Sequence, residues 1–321
     1  MMSIFSKTLS TVRGTAPRVS FFTPLSTYRQ ASSSRPFASK NATPPTLEHL
    51  AIEQRGNVFN LQLNRPKLLN AVTGDTWREL KIAFDYLHQT PACRVIVVTG
   101  NGRAFCAGLD LKSGAEFFMG VTQDESLDIA RKASEIRAFL KVAQGAYSSI
   151  EACRKPVIAA VHGYALGAAT SLITAADIRY ATSDSILSIK EVDIAIAADV
   201  GVLQRIQKLV GNDSLTRELV LTARNFTGAE AKEYGLVSRT FPDKESLYDA
   251  AFLLADQIAA KSPVAVQGSK LALNYSRDHS VADSLEWMAN WNISMLQSED
   301  LIKAVMAASS KGGDPPKFND F

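Results

Sequence analysis

The sequence contains no apolar run of the roughly twenty residues that a membrane-spanning helix requires, so no membrane span is expected. Cysteine is scarce. Cys93, Cys106 and Cys153 are odd in number and far apart, which argues against a disulfide framework and suits a reducing compartment. The four histidines, His49, His88, His162 and His279, show no metal-ligand spacing with them, and no metal site is expected. Acid is missing from one end. Residues 1–47 hold no Asp or Glu, yet carry Lys7, Arg13, Arg18, Arg29, Arg35 and Lys40. Setting those six cations aside turns the formal charge of +3 into −3 for the remainder. That slightly acidic body offers no basic stripe to a nucleic acid. No short-period repeat points to a solenoid.

The acid-free leader is rich in Ser and Thr and carries Arg, the composition of a mitochondrial transit peptide; it lacks the continuous apolar segment of a secretory signal. Pro44-Pro45 closes it, and the fold is expected to begin near Leu47. The C-terminal Lys317-Phe318-Asn319-Asp320-Phe321 is not a peroxisomal Ser-Lys-Leu type ending, which favours the mitochondrial matrix.

Beyond the leader, a 46% hydrophobic chain of 321 residues can bury a substantial core. Residues 49–53 and 58–63 alternate around Gly56-Asn57 as a hairpin does. Asn64-Arg65-Pro66 breaks the second strand. Residues 73–88 have helical periodicity, with Thr73 or Asp75 as cap. Residues 94–99 and 157–161 read as buried strands, with a long helix over about 125–153 between them. From Asp199 onward the strand signal fades, and residues 200–210, 214–223, 228–234, 246–261, 263–277 and 281–308 all look helical. Strands followed by crossing helices indicate an α/β class with a helical C-terminal third.

Three segments could carry chemistry. Arg103-Ala104-Phe105-Cys106-Ala107-Gly108-Leu109-Asp110-Leu111 follows a buried strand, and its small residues let a ligand approach main-chain N–H groups. A strand followed by a glycine turn is also common in α/β proteins of every function. His162-Gly163-Tyr164-Ala165-Leu166-Gly167-Ala168-Ala169-Thr170-Ser171-Leu172 ends a strand and opens a helix, whose free N–H groups could stabilise a developing oxyanion. Close helix–sheet packing would favour the same small residues. In Ile189–Gly201, Glu191 and Asp199 flank a nearly apolar stretch, where desolvation raises a carboxyl pKa and suits it to proton transfer. The plainer alternatives are a strand-end acid for Glu191 and a helix N-cap for Asp199.

Order and spacing join these segments. Asn64-Arg65-Pro66 with Asn70-Ala71, the 105–111 loop, Lys155-Pro156-Val157-Ile158-Ala159-Ala160-Val161-His162-Gly163, Ala176-Asp177-Ile178-Arg179-Tyr180 and Gly235-Leu236-Val237-Ser238 resemble the enoyl-CoA hydratase/isomerase (crotonase) family, from about residue 48 to 308. Ala198-Asp199-Val200-Gly201 and Arg277-Asp278-His279-Ser280-Val281 are similar to its branch of 3,5-dienoyl-CoA to 2,4-dienoyl-CoA isomerases. The resemblance implies a spiral of repeated ββα units over 47–245, holding the active site. A helical region over 246–321 would build a homotrimer or homohexamer. It implies a fatty acyl-CoA thioester as substrate and no cofactor, coenzyme A being part of the substrate. The N–H groups of Leu109 and Ala168 fall on the oxyanion-hole positions. Glu191 falls on the acid beside the thioester carbonyl, and Asp199 on the branch's second acid. Ala107, Gly108, Leu109, Asp110, Leu111, Ala168 and Ser171 are expected against the substrate.

Two departures stand out. Ser171 occupies a position where hydratases and dienoyl isomerases usually carry an acid, and Ala168-Ala169 replaces a more usual glycine pair. A hydratase needs two carboxylates around a water, so Ser171 argues against efficient hydration. The competing expectations are a 3,2-enoyl-CoA isomerase using Glu191 alone, and a weakly active member that serves as an acyl-CoA-binding or RNA-binding scaffold.

Overall fold

In the computed structural model, which describes residues 43–309 and 315–321, the chain enters through a hairpin. Residues 1–42 of the expected leader lie outside the described residues. Strand β1 (Leu50–Arg55) pairs antiparallel with β2 (Val58–Leu63), the register running from Leu50 opposite Leu63 to Arg55 opposite Val58. Gly56 takes φ +62° in the two-residue turn, where glycine carries no Cβ penalty. The 3-10 turn Pro66–Leu68 then leads to helix α1 (Gly74–Gln89). Thr73 is its cap: the Thr73 hydroxyl accepts from Thr76 N–H while the Thr76 side chain answers the Thr73 N–H, a capping box.

Strands β3 (Val95–Gly100) and β4 (Val157–Val161) are buried at every residue, as strands covered on both faces must be. With β6 (Ile178–Thr182) and β9 (Arg239–Phe241) they complete a six-stranded sheet in the order β1-β2-β3-β4-β6-β9, parallel from β2 onward. Its strands send alternate side chains to opposite faces. Ile96 and Val98 join Leu80, Phe84 and Leu87 of α1 and Ile150 of α3 (Ile129–Ala152). Val95 and Val97 meet Leu247, Ala251 and Ala255 of a later helix, Lys244–Ala259. Burying each large apolar side chain contributes about 1.5–3 kcal/mol, so these two layers hold the sheet between helices.

A second sheet of three short strands supports the site. β5 (Tyr164–Leu166) runs parallel to β7 (Ile186–Ser188), which pairs antiparallel with β8 (Phe226–Thr227). β5 delivers the chain into α4 (Ala168–Ala175), every residue of which is buried, and β7 delivers it to Glu191.

The helical remainder is α5 (Val202–Arg205), α6 (Gln207–Val210), α7 (Asp213–Thr222), α8 (Gly228–Glu233), α9 (Lys244–Ala259), α10 (Pro263–Ser276), α11 (Val281–Met295) and α12 (Glu299–Ser309). Several sequence expectations need correction. The helix expected from about 125 starts at Ile129, capped by Asp128, and is preceded by a separate α2 (Leu111–Thr122). The stretches 200–210 and 281–308 are each two helices. Strand does not end at Asp199: β8 and β9 each span only two or three residues, too few to display an alternating pattern, yet they close both sheets. No described helix is long and apolar enough to cross a membrane.

Candidate active site

The loop after β3 is held by one buried amide. Asn70, at φ +56°, donates from Nδ2 to the carbonyls of Asn101 (2.9 Å), Ala104 (2.9 Å) and Phe105 (3.1 Å), and its Oδ1 accepts from Arg65 N–H at 2.8 Å. Cys106 N–H donates to the Tyr164 carbonyl at 2.8 Å, joining the loop to β5. Val72 N–H then reaches the Gly108 carbonyl at 2.8 Å, and Asp110 N–H the Val72 carbonyl at 2.9 Å. These bonds bracket Leu109 and leave its own N–H without an acceptor among the described residues.

Gly108 sets where that N–H sits. Its φ is +92°, and a Cβ there would lie 2.5 Å from the Leu166 carbonyl oxygen and 3.7 Å from the Ala168 nitrogen. Only glycine permits this approach. It brings the loop against the first turn of α4, where Ala168 is the first helical residue and Gly167, at φ +50°, caps without a side chain. The Ala168 N–H is one of the donors a helix start leaves unpaired, and it too has no acceptor among the described residues. Two free main-chain donors thus face one cavity.

That cavity, of about 280 Å³, is lined by Trp77, Ala107, Gly108, Leu109, Leu111, Leu166, Gly167, Ala168, Lys190, Glu191, Asp193, Ile194, Ile196, Asp199 and Val200. Glu191 opens a 3-10 turn, Glu191–Ile194, and is 7% exposed. Neither carboxylate oxygen has a hydrogen-bond partner among the described residues. Its Oε1 lies 3.8 Å from where a Cβ on Gly167 would stand. Burial pushes its pKa up, its own main-chain N–H partly opposes this, and Asp199 raises it further. Asp199 is half-buried, and burial likewise raises its pKa against the pull of its own N–H. The Asp199 carbonyl accepts from Gln144 Nε2 at 2.8 Å.

Asp199 does not cap a helix. α5 begins three residues later with Gly201 as its cap, at φ +126° and with no side-chain cap bond. Asp199 instead borders two cavities: the apolar one, and a polar one of about 600 Å³ that includes Gln144, Ser148, Glu151, Arg205, Lys208, Arg277 and Asp278. There Glu151 pairs with Arg205 at 3.0 Å and with Arg277 at 2.6 Å, and Lys208 pairs with Asp278. Folding therefore brings the Arg277-Asp278 motif to a cavity that Asp199 also borders.

Of the residues expected against substrate, Ala107, Gly108, Leu109, Leu111 and Ala168 are on the apolar wall, but Asp110 and Ser171 are not. Asp110 turns away to pair with Arg65 at 3.3 Å and to cap α2 by accepting from Ser113 N–H at 3.2 Å. Ser171 lies one turn into α4, fully buried, its hydroxyl without a partner among the described residues. Trp77 and Lys190 were not anticipated on the wall. Trp77 lies on α1, where helical spacing alone gives it a core position, and its Nε1 donates to Tyr147 Oη at 2.9 Å. Lys190 Nζ is drawn to the Ala223 carbonyl at 2.9 Å. Burial pushes the Cys106 thiol up to about 12, so it packs rather than reacts. No group of three or more potential metal ligands occurs among the described residues.

Residues 53–311 match the family described as enoyl-CoA hydratase/isomerase. The chain belongs to that family. Over 288 residues it is 46% identical to the mitochondrial delta(3,5)-delta(2,4)-dienoyl-CoA isomerase of Rattus norvegicus, covering 88% of this chain and 87% of the relative. It is 44% identical over 266 residues to the peroxisomal delta(3,5)-delta(2,4)-dienoyl-CoA isomerase of Arabidopsis thaliana, covering 83% and 95% respectively. Among solved structures, a putative enoyl-CoA hydratase from Streptomyces coelicolor A3(2) superposes with a TM-score of 0.78 at 28% identity, covering 88% of this chain and 98% of that one. As a crotonase-fold enoyl-CoA hydratase/isomerase, the chain has the mixed α/β architecture and helical C-terminal region that its motifs implied.

Proposed function

We propose that the chain is a dienoyl-CoA isomerase that converts 3,5-dienoyl-CoA to 2,4-dienoyl-CoA in fatty acid β-oxidation. The observation that carries this reading is a second desolvated carboxyl, Asp199, on the same apolar wall as Glu191. A one-proton 3,2-enoyl-CoA isomerisation would need only Glu191. The thioester carbonyl sits against the Leu109 and Ala168 N–H groups, which stabilise the enolate oxygen. Glu191 removes a C2 proton, giving a trienolate with C1=C2, C3=C4 and C5=C6 in conjugation. The enolate oxygen's electrons return to the carbonyl, C2=C3 and C4=C5 form, and the former C5=C6 pair takes a proton at C6 from Asp199. Glu191 ends protonated and Asp199 ionised, and exchange with water resets both. C2 and C6 are several ångströms apart, so one carboxyl cannot easily serve both. No cofactor enters these steps.

Mixing the protein with a 3,5-dienoyl-CoA tests the proposal directly. The 2,4-product is conjugated with the thioester and absorbs at longer wavelength, so that band should grow on mixing. Turnover of a 3-enoyl-CoA alone would instead support the Glu191-only isomerase, and acyl-CoA binding without turnover the scaffold. Ser171 in place of an acid supports little water addition to a 2-enoyl-CoA. The acid-free leader favours the mitochondrial matrix over the peroxisome, and an intact Met1 on protein from isolated mitochondria would count against import by cleavage. Exposed apolar residues along α10–α12, among them Leu273, Val281, Leu285, Ile293 and Val305, support a homotrimer or homohexamer built through this region.

A further inference from the structure

Between Ile196 and Gly201 the chain passes the cavity with few main-chain hydrogen bonds, held otherwise by Ala198 and Val200, which are buried in the core on either side of Asp199. The preceding turn is closed by Ile196 N–H to the Glu191 carbonyl at 3.2 Å, and the next helix begins at Val202. Within Ala197–Val200, the Gln144 bond to the Asp199 carbonyl is the one hydrogen bond to main chain among the described residues. The Gln144 amide can point in only one direction. Lys141 Nζ, which can only donate, reaches Gln144 Oε1 at 2.9 Å, so the NH₂ must face the Asp199 carbonyl, which can only accept. Gln144 itself stands on α3, whose neighbouring Ala143, Ala146, Tyr147 and Ile150 are locked in the core.

We propose that Gln144 is a positioning residue that fixes Asp199 for proton delivery at C6, leaving the chemistry of Glu191 at C2 untouched. This rests on the dienoyl-isomerase reading above. Glu191 is carried by its own 3-10 turn and by β7, and no hydrogen bond joins its carboxylate to Gln144 among the described residues. Loss of the Gln144 bond therefore loosens one acid and not the other. A displacement on the order of 1 Å at a reacting group can cost about a hundredfold in rate.

The test compares two rates on one substrate in D₂O: exchange of the C2 hydrogens and formation of 2,4-dienoyl-CoA. Gln144→Ala is expected to slow isomerisation roughly tenfold to a hundredfold with little change in KM, while C2 exchange stays within about twofold of wild type. Gln144→Glu keeps the length and the Lys141 contact but offers no donor when ionised, so it should fall as far as Gln144→Ala. Rescue by Glu would mean that Gln144 merely fills space, and would overturn the proposal. Unchanged isomerisation in Gln144→Ala, or loss of C2 exchange in step with isomerisation, would overturn it too. Asp199→Asn separates the two levels. If that variant loses isomerisation while Gln144→Ala does not, positioning alone is wrong; if it isomerises normally, the two-acid reading falls and takes positioning with it.

Discussion

Residues 104–110 and residues 191–200 face each other across one apolar cavity, and they are built in opposite ways. The first is stitched on both sides: by Asn70 to the carbonyls of Ala104 and Phe105, by Tyr164 and Leu166 to Cys106, and by Val72 to Gly108 and Asp110. The second exposes Val192, Ile194 and Ile196 at 39%, 43% and 39%, and leaves both Glu191 oxygens bare. The difference follows from what each must do. Oxyanion donors stabilise charge only if they are already in place, so their loop is rigid. A proton carrier needs a poorly solvated carboxyl, and hydrogen bonds to its charged form would lower the pKa that makes it useful.

The largest effect should come from breaking the rigid side. Gly108→Ala puts a methyl group 2.5 Å from the Leu166 oxygen at a φ of +92°, so the loop must move and the Leu109 N–H with it. Loss of one oxyanion donor costs about a hundredfold to a thousandfold, and turnover in this variant should fall at least that far. A lowered thermal midpoint should accompany it, since both clash and φ are unfavourable. A variant with normal turnover would show that Leu109 is not a donor.

On the bare side, Glu191→Gln should lower turnover by about a hundredfold or more and abolish C2 exchange. Its stability should move the other way. Glu191's carboxyl lies above its ordinary 4.5 because of burial and, less, Asp199. The folded state then holds that proton more tightly than the unfolded chain, so ionised Glu191 costs stability once pH exceeds the raised value. Below 4.5 both states are protonated and the cost vanishes. Glu191→Gln should therefore melt higher than wild type at neutral pH, with the gain shrinking on acidification through that window. Thermal scans across pH check this; a gain independent of pH would contradict it.

The smallest effect is expected at Ser171. A buried hydroxyl without a partner costs about 1–3 kcal/mol, so Ser171→Ala should be neutral or raise the thermal midpoint by roughly 2 °C or a little more, with turnover hardly changed. A large loss of turnover would place the hydroxyl among the groups that act on substrate.

The same contrast explains what the sequence disclosed. Periodicity exposed α1, whose pattern repeats over sixteen residues, and a continuous apolar run exposed β4. Periodicity failed at β8 and β9, which are shorter than one useful period, and at α2, whose start is hidden inside the functional loop. Gly108, Leu109, Ala168 and Glu191 were singled out by the family resemblance, and all four line the apolar cavity. Trp77 was not singled out, because its helical spacing also fits a core position. Asp110 and Ser171 show the limit of spacing: both lie at the expected place in sequence, yet Arg65 turns one away and α4 buries the other. The plainer alternative for Asp199, a helix cap, does not hold, because Gly201 with its positive φ starts α5 instead.

The division of labour between the two acids is the centre of this account, and Asp199→Asn in D₂O tests it most directly. With a 3,5-dienoyl-CoA, deuterium should enter C2 at nearly the wild-type rate while 2,4-dienoyl-CoA forms about a hundredfold more slowly or worse. Normal isomerisation in that variant, or loss of C2 exchange together with isomerisation, would contradict the assignment of Glu191 to C2 and Asp199 to C6.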